Sequence, residues 1–163
     1  MNVWIVYDSR YGNNKKIAEV LAGHFKDGNN VHVHYAKEIS QQALIDGGID
    51  ILMFGGPLRF GTPSSTIKRW ANKMTGLLNQ KAVKVGKTAI WGTHMKDAPD
   101  TPPGKCAWDV AKPKWKAILD TFPAEKKAPE IQGFVVGAIA GRDTLEAGWQ
   151  DLVARFADTV KSL

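Results

Sequence analysis

Between Val3 and Lys16, an apolar run is followed by a polar turn, which leads directly into a helical pattern. Val3–Val6 are apolar, Ser9–Asn14 are polar or glycine, and helically spaced apolar residues begin at Ile17. This order predicts a strand, a tight turn and the N-terminus of a helix. The first N–H groups of a helix have no intrahelical acceptor and lie at the positive end of the helix dipole. We therefore interpret the turn as a phosphate-binding loop.

The side chains of this loop are consistent with that interpretation. Gly12 permits positive φ and close approach of a ligand, while Ser9 and the two asparagines supply neutral donors. The chain contains neither G-x-G-x-x-G nor G-x-x-x-x-G-K-[ST], which excludes the two commonest nucleotide motifs. An ordinary capped start of a helix remains the alternative. The predicted phosphate contacts are Ser9, Arg10, Tyr11, Gly12, Asn13 and Asn14.

Strand-like and helix-like segments alternate along the whole chain. Strands are predicted at Val3–Val6, Val31–Tyr35, Ile49–Phe54, Thr88–Trp91 (with a start near Val85) and Ile131–Ala140. Helical spacing predicts helices over Ile17–Phe25, Ser40–Ile45, Ile67–Leu78, Lys112–Phe122 and Leu145–Val160. The pattern predicts one α/β domain over residues 1–163, with a doubly wound parallel sheet. Its ligand crevice is expected at the carboxyl ends of the strands.

The segment after the third predicted strand is the second candidate site. It contains two glycines and two prolines between Gly55 and Pro63, which indicates a fixed, irregular loop. Phe60 is the exposed candidate for contact with a ligand, and packing of its ring on the next helix is the alternative. Ser64 or Ser65 is expected to cap that helix.

Three segments resemble flavodoxins and their relatives. Ser9-x-x-Gly-Asn is similar to the hydroxyl-rich phosphate loop of flavodoxins, although Tyr11 and Asn14 stand where threonines are usual. Gly56–Gly61 resembles the corresponding loop of FMN-dependent quinone reductases, with Leu58 in place of threonine. Gly92 and Thr93 match a frequent pair after the fourth strand. The resemblance implies a flavodoxin-like fold, with a five-stranded parallel sheet in the order 2-1-3-4-5 and helices on both faces.

The resemblance also implies one non-covalently bound FMN and a role in electron transfer between protein partners. One side of the flavin ring would contact Pro57, Leu58, Arg59, Phe60, Gly61 and Thr62, and the other Gly92, Thr93 and His94. Two other functions remain open: an NAD(P)H:quinone oxidoreductase, and a cofactor-free interaction module. For His94, the role of an ordinary loop residue is the alternative to contact with the flavin edge or a quinone oxygen. Trp108 is either a second aromatic wall or part of the core.

Charge and cysteine content limit the partners and the compartment. A formal net charge of +6 contrasts with the acidity usual among flavodoxins. It favours acidic redox partners, and without a base-reading motif it does not indicate a specific nucleic-acid role. Cys106 is the only cysteine, and no secretion signal or apolar run of ~20 residues is present. We therefore expect a cytoplasmic protein without membrane insertion.

Other groups of polar residues are too incomplete to indicate a metal or phosphorylation site. His32 and His34 lack an identifiable third metal ligand. Asp8 lacks the acidic neighbour and the distant lysine of a phosphoacceptor domain. No catalytic residue or metal is assigned, and the stretch 96–130 receives no function.

Overall fold

The computed structural model describes residues 1–96, 102–103, 105–137 and 144–163. The strands are β1 (Asn2–Tyr7), β2 (Asn30–Tyr35), β3 (Ile51–Arg59), β4 (Thr62–Pro63), β5 (Val85–Met95), β6 (Ala124–Lys127) and β7 (Gln132–Val136). The helices are α1 (Asn13–Gly23), α2 (Gln41–Gly47), α3 (Ser65–Gln80), α4 (Ala107–Thr121) and α5 (Trp149–Ser162). None of these helices has the length and apolar character needed to cross a membrane.

The main sheet is parallel and runs in the order β2-β1-β3-β5, with a divided strand beyond β5. β6 pairs with the first part of β5, and β7 pairs with its last part. Together β6 and β7 occupy the fifth position of the sheet. The predicted order 2-1-3-4-5 is therefore confirmed, although the fifth strand is interrupted. The short strand β4 pairs antiparallel with the end of β3.

Helices cover both faces of the sheet, as the doubly wound prediction requires. Alternate residues of β1 point to opposite faces, since side chains in a strand alternate. Val3 and Ile5 pack into the core beneath α1 and α5, whereas Trp4 and Val6 pack into the core beneath α2, α3 and α4. Burial of these apolar side chains at about 25 cal/mol per Å² provides the main stabilising term.

Two strands extend further than the sequence indicated. The segment from Gly55 was predicted to be an irregular loop, but it continues β3 as far as Arg59 and pairs with β5. A Cβ at Gly55 would lie 2.3 Å from the ring of Trp91, so glycine here serves close packing rather than a turn. β5 likewise continues to Met95, so that the predicted loop residues Gly92, Thr93 and His94 belong to a strand.

Several boundaries were also predicted incorrectly. α4 begins at Ala107 rather than Lys112, and Pro113 lies inside it. The helix is capped at Cys106, whose N–H donates to Asp109 Oδ2 at 3.1 Å. Leu145 was assigned to the last helix, but it forms a bridge with Val136 before that helix starts. Of the predicted fifth strand and the turn after it, residues 138–143 lie outside the described part of the chain.

Candidate functional site

The three candidate segments meet at the carboxyl edge of the sheet, around one cavity of about 360 Å³. This volume lies within the range of small-molecule sites, roughly 300–1,000 Å³. Most of the predicted site residues line the cavity: Ser9, Arg10, Tyr11, Asn13, Asn14, Pro57, Leu58, Arg59, Phe60, Thr93 and His94. Gly12, Gly61, Thr62 and Gly92 do not line it.

Four lining residues were not among the predicted ones: Met95, Val136, Gly137 and Thr144. Met95 directly follows the predicted contacts Gly92, Thr93 and His94 and ends the same strand, but it matches no residue of the resemblance. Val136 is the last residue of β7, which lies beside the end of β5, and Gly137 follows it. The parallel order of the sheet was the signal that would have found them, since adjacent carboxyl ends share one edge.

The loop after β1 presents the N-terminus of α1 to the cavity. Gly12 precedes the helix with φ of +93°, a conformation that favours glycine. Its N–H donates to Ser9 Oγ at 3.1 Å, which closes the turn. Because the N–H groups at the start of α1 lack intrahelical acceptors, this end of the helix is suited to an anion.

The two asparagines of the loop have different roles. Asn14 is buried, accepts from Trp91 Nε1 and donates to Thr93 Oγ1, each at 2.9 Å. Asn13 donates to Thr144 Oγ1 at 2.8 Å. Its Oδ1 is buried and receives no hydrogen bond within the described residues. Asn14 therefore ties the loop to β5, whereas Asn13 retains an unsatisfied acceptor.

The segment between β3 and β4 is a tight hairpin that reaches over the cavity. Arg59 faces Thr62 across it, and Phe60 and Gly61 form a two-residue turn with φ of +51° and +65°. Positive φ at both turn residues is typical of a type I′ hairpin. The side chain of Phe60 is 97% exposed, so its predicted exposure is confirmed and packing on α3 is excluded. Lys114 Nζ of α4 donates to Gly61 O at 2.6 Å and holds the tip.

His94 forms part of the opposite wall. The residue is buried, its Nδ1 lies 3.0 Å from Met95 O, and its ring stacks on Trp108 with centroids 4.9 Å apart. Burial lowers the pKa of His94, while the hydrogen bond to Met95 and the charges of Asp109 and Glu146 oppose that shift. The ring is therefore neutral at pH 7.

A buried carboxylate supports the base of the site. Asp8, which follows β1, accepts a hydrogen bond from the Ser64 hydroxyl. Ser64 Oγ also accepts from Ile67 N at 3.4 Å and so caps α3, as the sequence indicated. This network fixes the end of β1 relative to the start of α3.

Three basic side chains, here called the basic rim, lie at the cavity: Arg10 and Arg59 line it, and Lys114 contacts the hairpin tip beside it. Arg10, Arg59 and Lys114 are exposed, and within the described ranges none of them forms an ion pair. The guanidinium of Arg10 lies 5.3 Å from the ring centroid of Tyr11. The rim is therefore suited to an anionic ligand or partner surface.

The comparison with known proteins depends on the fold, because in sequence the chain matches no protein-family model and no curated protein. Flavodoxin 2 from Bacillus cereus superposes with a TM-score of 0.71 at 13% identity, and the alignment covers 99% of each chain. This is a flavodoxin-like fold. Oxidised flavodoxin 1 from the same organism superposes with a TM-score of 0.70 at 15% identity, covering 99% of this chain and 98% of that one.

The flavodoxin-like fold also occurs as part of longer proteins. The rubredoxin oxygen:oxidoreductase of Desulfovibrio gigas superposes with a TM-score of 0.68 at 16% identity. The alignment covers 99% of this chain but only 35% of that protein. The similarity therefore concerns one part of the oxidoreductase.

Proposed function

We propose that this protein binds one FMN non-covalently and transfers electrons between protein partners. The observation that carries the proposal is the convergence of three features on one cavity of a flavodoxin-like fold. These features are the N-terminus of α1, the exposed aromatic ring of Phe60 and the His94 wall of β5. Each feature matches a different part of FMN.

The phosphate of FMN fits the loop after β1. Backbone N–H groups at the start of α1 would donate to the phosphate oxygens, and Ser9 and Arg10 lie in the same loop. Hydrogen bonds to a charged group contribute roughly 1.5–3 kcal/mol each, more than those between neutral groups. The loop would thus supply much of the affinity.

The remainder of FMN fits the cavity behind this loop. The unsatisfied Oδ1 of Asn13 is an acceptor for a ribityl hydroxyl. Phe60 offers an apolar face on one side of the flavin ring, and the His94 wall provides the other. When bound, the flavin supplies one- and two-electron transfer, while the protein orients it and sets its electrostatic environment.

The visible spectrum of freshly purified protein, followed by identification of any released flavin, tests this proposal. Colourless protein that also fails to bind added FMN would favour a cofactor-free interaction module. We expect the double variant Ser9→Ala/Asn13→Ala to bind FMN at least about tenfold more weakly, since hydrogen bonds are worth ~0.5–1.5 kcal/mol each or more. Riboflavin lacks the phosphate but keeps the ribityl hydroxyls that Asn13 would contact, so it should lose affinity only through Asn13 and therefore less than FMN. Equal losses for both ligands would remove the loop from the phosphate site.

A second experiment separates a carrier from an enzyme. The similarity of Pro57–Gly61 to FMN-dependent quinone reductases favours NAD(P)H:quinone oxidoreductase activity as the alternative function. Steady-state oxidation of NADH or NADPH by the FMN-loaded protein with a benzoquinone measures that activity directly. We expect no turnover above that of free FMN. Rapid saturable turnover would establish the enzyme instead.

The basic rim bears on the choice of partner. We infer that redox partners present acidic surfaces, because Arg10 and Arg59 line the cavity and Lys114 contacts the hairpin tip beside it, in a chain of net charge +6. Complementary charge mainly accelerates association, and salt screens it. Electron transfer to an acidic haem protein should therefore slow as salt increases.

A further inference from the structure

The tautomer of His94 is determined by the backbone. Its Nδ1 lies 3.0 Å from the carbonyl oxygen of Met95, which can only accept a hydrogen bond. Nδ1 therefore carries the proton of the neutral ring, and Nε2 carries a lone pair. Nε2 has no hydrogen-bond partner in the described part of the chain and is not among its buried unsatisfied atoms, while the residue lines the cavity. The lone pair is thus accessible to a ligand.

The orientation of the ring is fixed by packing. Trp108 stacks on it at an interplanar angle of 22°. Two glycines leave the space that Trp108 occupies: a Cβ would lie 2.9 Å from its indole at Gly92 and 2.7 Å from it at Gly133. His94 therefore presents the same nitrogen to the cavity whatever its charge.

Both negative and positive groups act on this nitrogen. Asp109 of α4 and Glu146, which precedes α5, favour the protonated ring. Arg10 and Arg59 line the same cavity, where positive charge disfavours a protonated ring. Burial is the largest influence and keeps the imidazole neutral. A further negative charge in the cavity would favour the protonated ring and so raise the pKa of His94.

We propose that Nε2 of His94 contacts the ring of bound FMN and takes up a proton when that ring becomes anionic. This inference rests on the proposed function. The proton comes from solvent and adds to the Nε2 lone pair, while an external reductant supplies the electrons that reduce the ring. No bond within the flavin is broken in this step. The cavity therefore binds reduced, anionic FMN increasingly well, relative to oxidised FMN, as the pH falls.

¹H–¹⁵N NMR of the histidine rings in ¹⁵N-labelled protein tests whether reduction of FMN and protonation of His94 are coupled. Spectra are recorded against pH without ligand, with oxidised FMN and with FMN reduced by dithionite. We expect the Nδ1–H tautomer without ligand, and a rise of one to three units in the pKa of His94 when bound FMN is reduced. The other three histidines (His24, His32 and His34) lie away from the cavity and serve as internal controls.

Two variants distinguish titration from packing. His94→Asn keeps a donor for Met95 O but lacks Nε2, and His94→Gln places an uncharged amide near the position of Nε2. In the native protein, the preference for reduced over oxidised FMN should rise up to tenfold per unit of falling pH between the two pKa values. Both variants should abolish that rise, whatever their overall affinity for FMN.

The possible results distinguish failure of this inference from failure of the proposed function. An Nε2–H tautomer in the ligand-free protein would overturn the inference, as would an unchanged pKa of His94 on reduction of bound FMN. In either case the proposed function stands if FMN binds. Failure of the native protein to bind FMN would overturn both.

Discussion

At the scale of single residues, Phe60 shows most clearly that local stability was not the only constraint on this chain. Its backbone is left-handed, which costs a non-glycine residue about 1–2 kcal/mol. Its side chain is almost fully exposed, so burial does not offset that cost. Strain of this kind commonly occurs where function requires a particular geometry.

Replacement of Phe60 by asparagine should therefore separate stability from binding. Asparagine adopts the left-handed conformation more readily, so we expect the free energy of unfolding of the ligand-free protein to stay equal or rise by up to ~1 kcal/mol. FMN should bind several-fold more weakly, because an aromatic pair contributes ~0.5–1.5 kcal/mol beyond burial. Urea unfolding and FMN titration measure the two effects. Undiminished affinity would leave the exposed ring without a role in flavin binding.

Asn14 illustrates a role that the sequence did not reveal. It was grouped with the phosphate contacts, yet its side chain hydrogen-bonds Trp91 and Thr93 in the interior. Asn14→Ala would leave the buried Trp91 Nε1 without a partner, and we expect a loss of about 1–3 kcal/mol of unfolding free energy. Asn13→Ala is the matched control, since among the described residues that side chain makes a single hydrogen bond. Equal losses in urea unfolding of the two variants would contradict this assignment.

At the scale of secondary-structure elements, apolar periodicity correctly predicted the helices and strands that bury one face or all of their side chains. β1, α1 and α3 are of this kind. β6 was missed because Ala124–Lys127 is a polar strand whose pairing with β5 has no signature in its own side chains. α4 was predicted to start at Lys112, because Trp115, Ile118 and Leu119 have the spacing of a buried helix face. The helix instead begins at Ala107, where local capping and burial of Trp115 outweigh the one hydrogen bond that proline removes.

The hairpin between β3 and β4 was read as an irregular loop because its glycines and prolines resemble turn residues. Only the partner strand reveals why Gly55 is glycine, since Trp91 occupies the space above it. The candidate site was nevertheless found in large part. Its residues lie where strands end, and in a parallel sheet those ends meet regardless of the exact boundaries.

The contact between α4 and the hairpin tip gives an element-level prediction. Lys114→Met removes the donor to Gly61 O, and we expect larger picosecond-to-nanosecond motion of the Gly61 amide in ¹⁵N relaxation. Lys116→Met is the control, because Lys116 pairs with Asp120 within α4. FMN affinity should fall modestly in the first variant alone. Equal relaxation at Gly61 in both variants would mean that the hairpin is rigid without Lys114.

At the scale of the whole molecule, the position of charge matters more than its total. Negative surroundings disfavour addition of electrons to a flavin, and basic surroundings favour it. A unit charge ~8 Å away at an effective dielectric of ~20–40 contributes roughly 1–2 kcal/mol, or about 50–90 mV for one electron. The FMN-loaded protein should thus have a less negative second reduction potential than acidic flavodoxins.

Charge reversal at two sites tests that expectation. Arg59→Glu should lower this potential by tens of millivolts, and added salt should reduce the difference. Lys126→Glu changes the net charge equally, but it lies in β6 beside the start of β5, at the opposite edge of the sheet. Redox titration of both variants at two salt concentrations gives the comparison. Identical shifts of the potential in the two variants would mean that total charge sets it. No shift in either variant would mean that the basic rim affects only the choice of partner.

The interruption between β6 and β7 is a position where this fold could accept additional chain. The residues from Ala128 to Ile131 join two strands that are each anchored separately to β5. Pro129 and Glu130 are exposed, and Glu130 forms a surface ion pair with Lys112 of α4. Extra chain grafted at this joint would project outward without breaking the pairing on either side. Insertion of a tethered redox module at this joint should therefore keep the cavity intact.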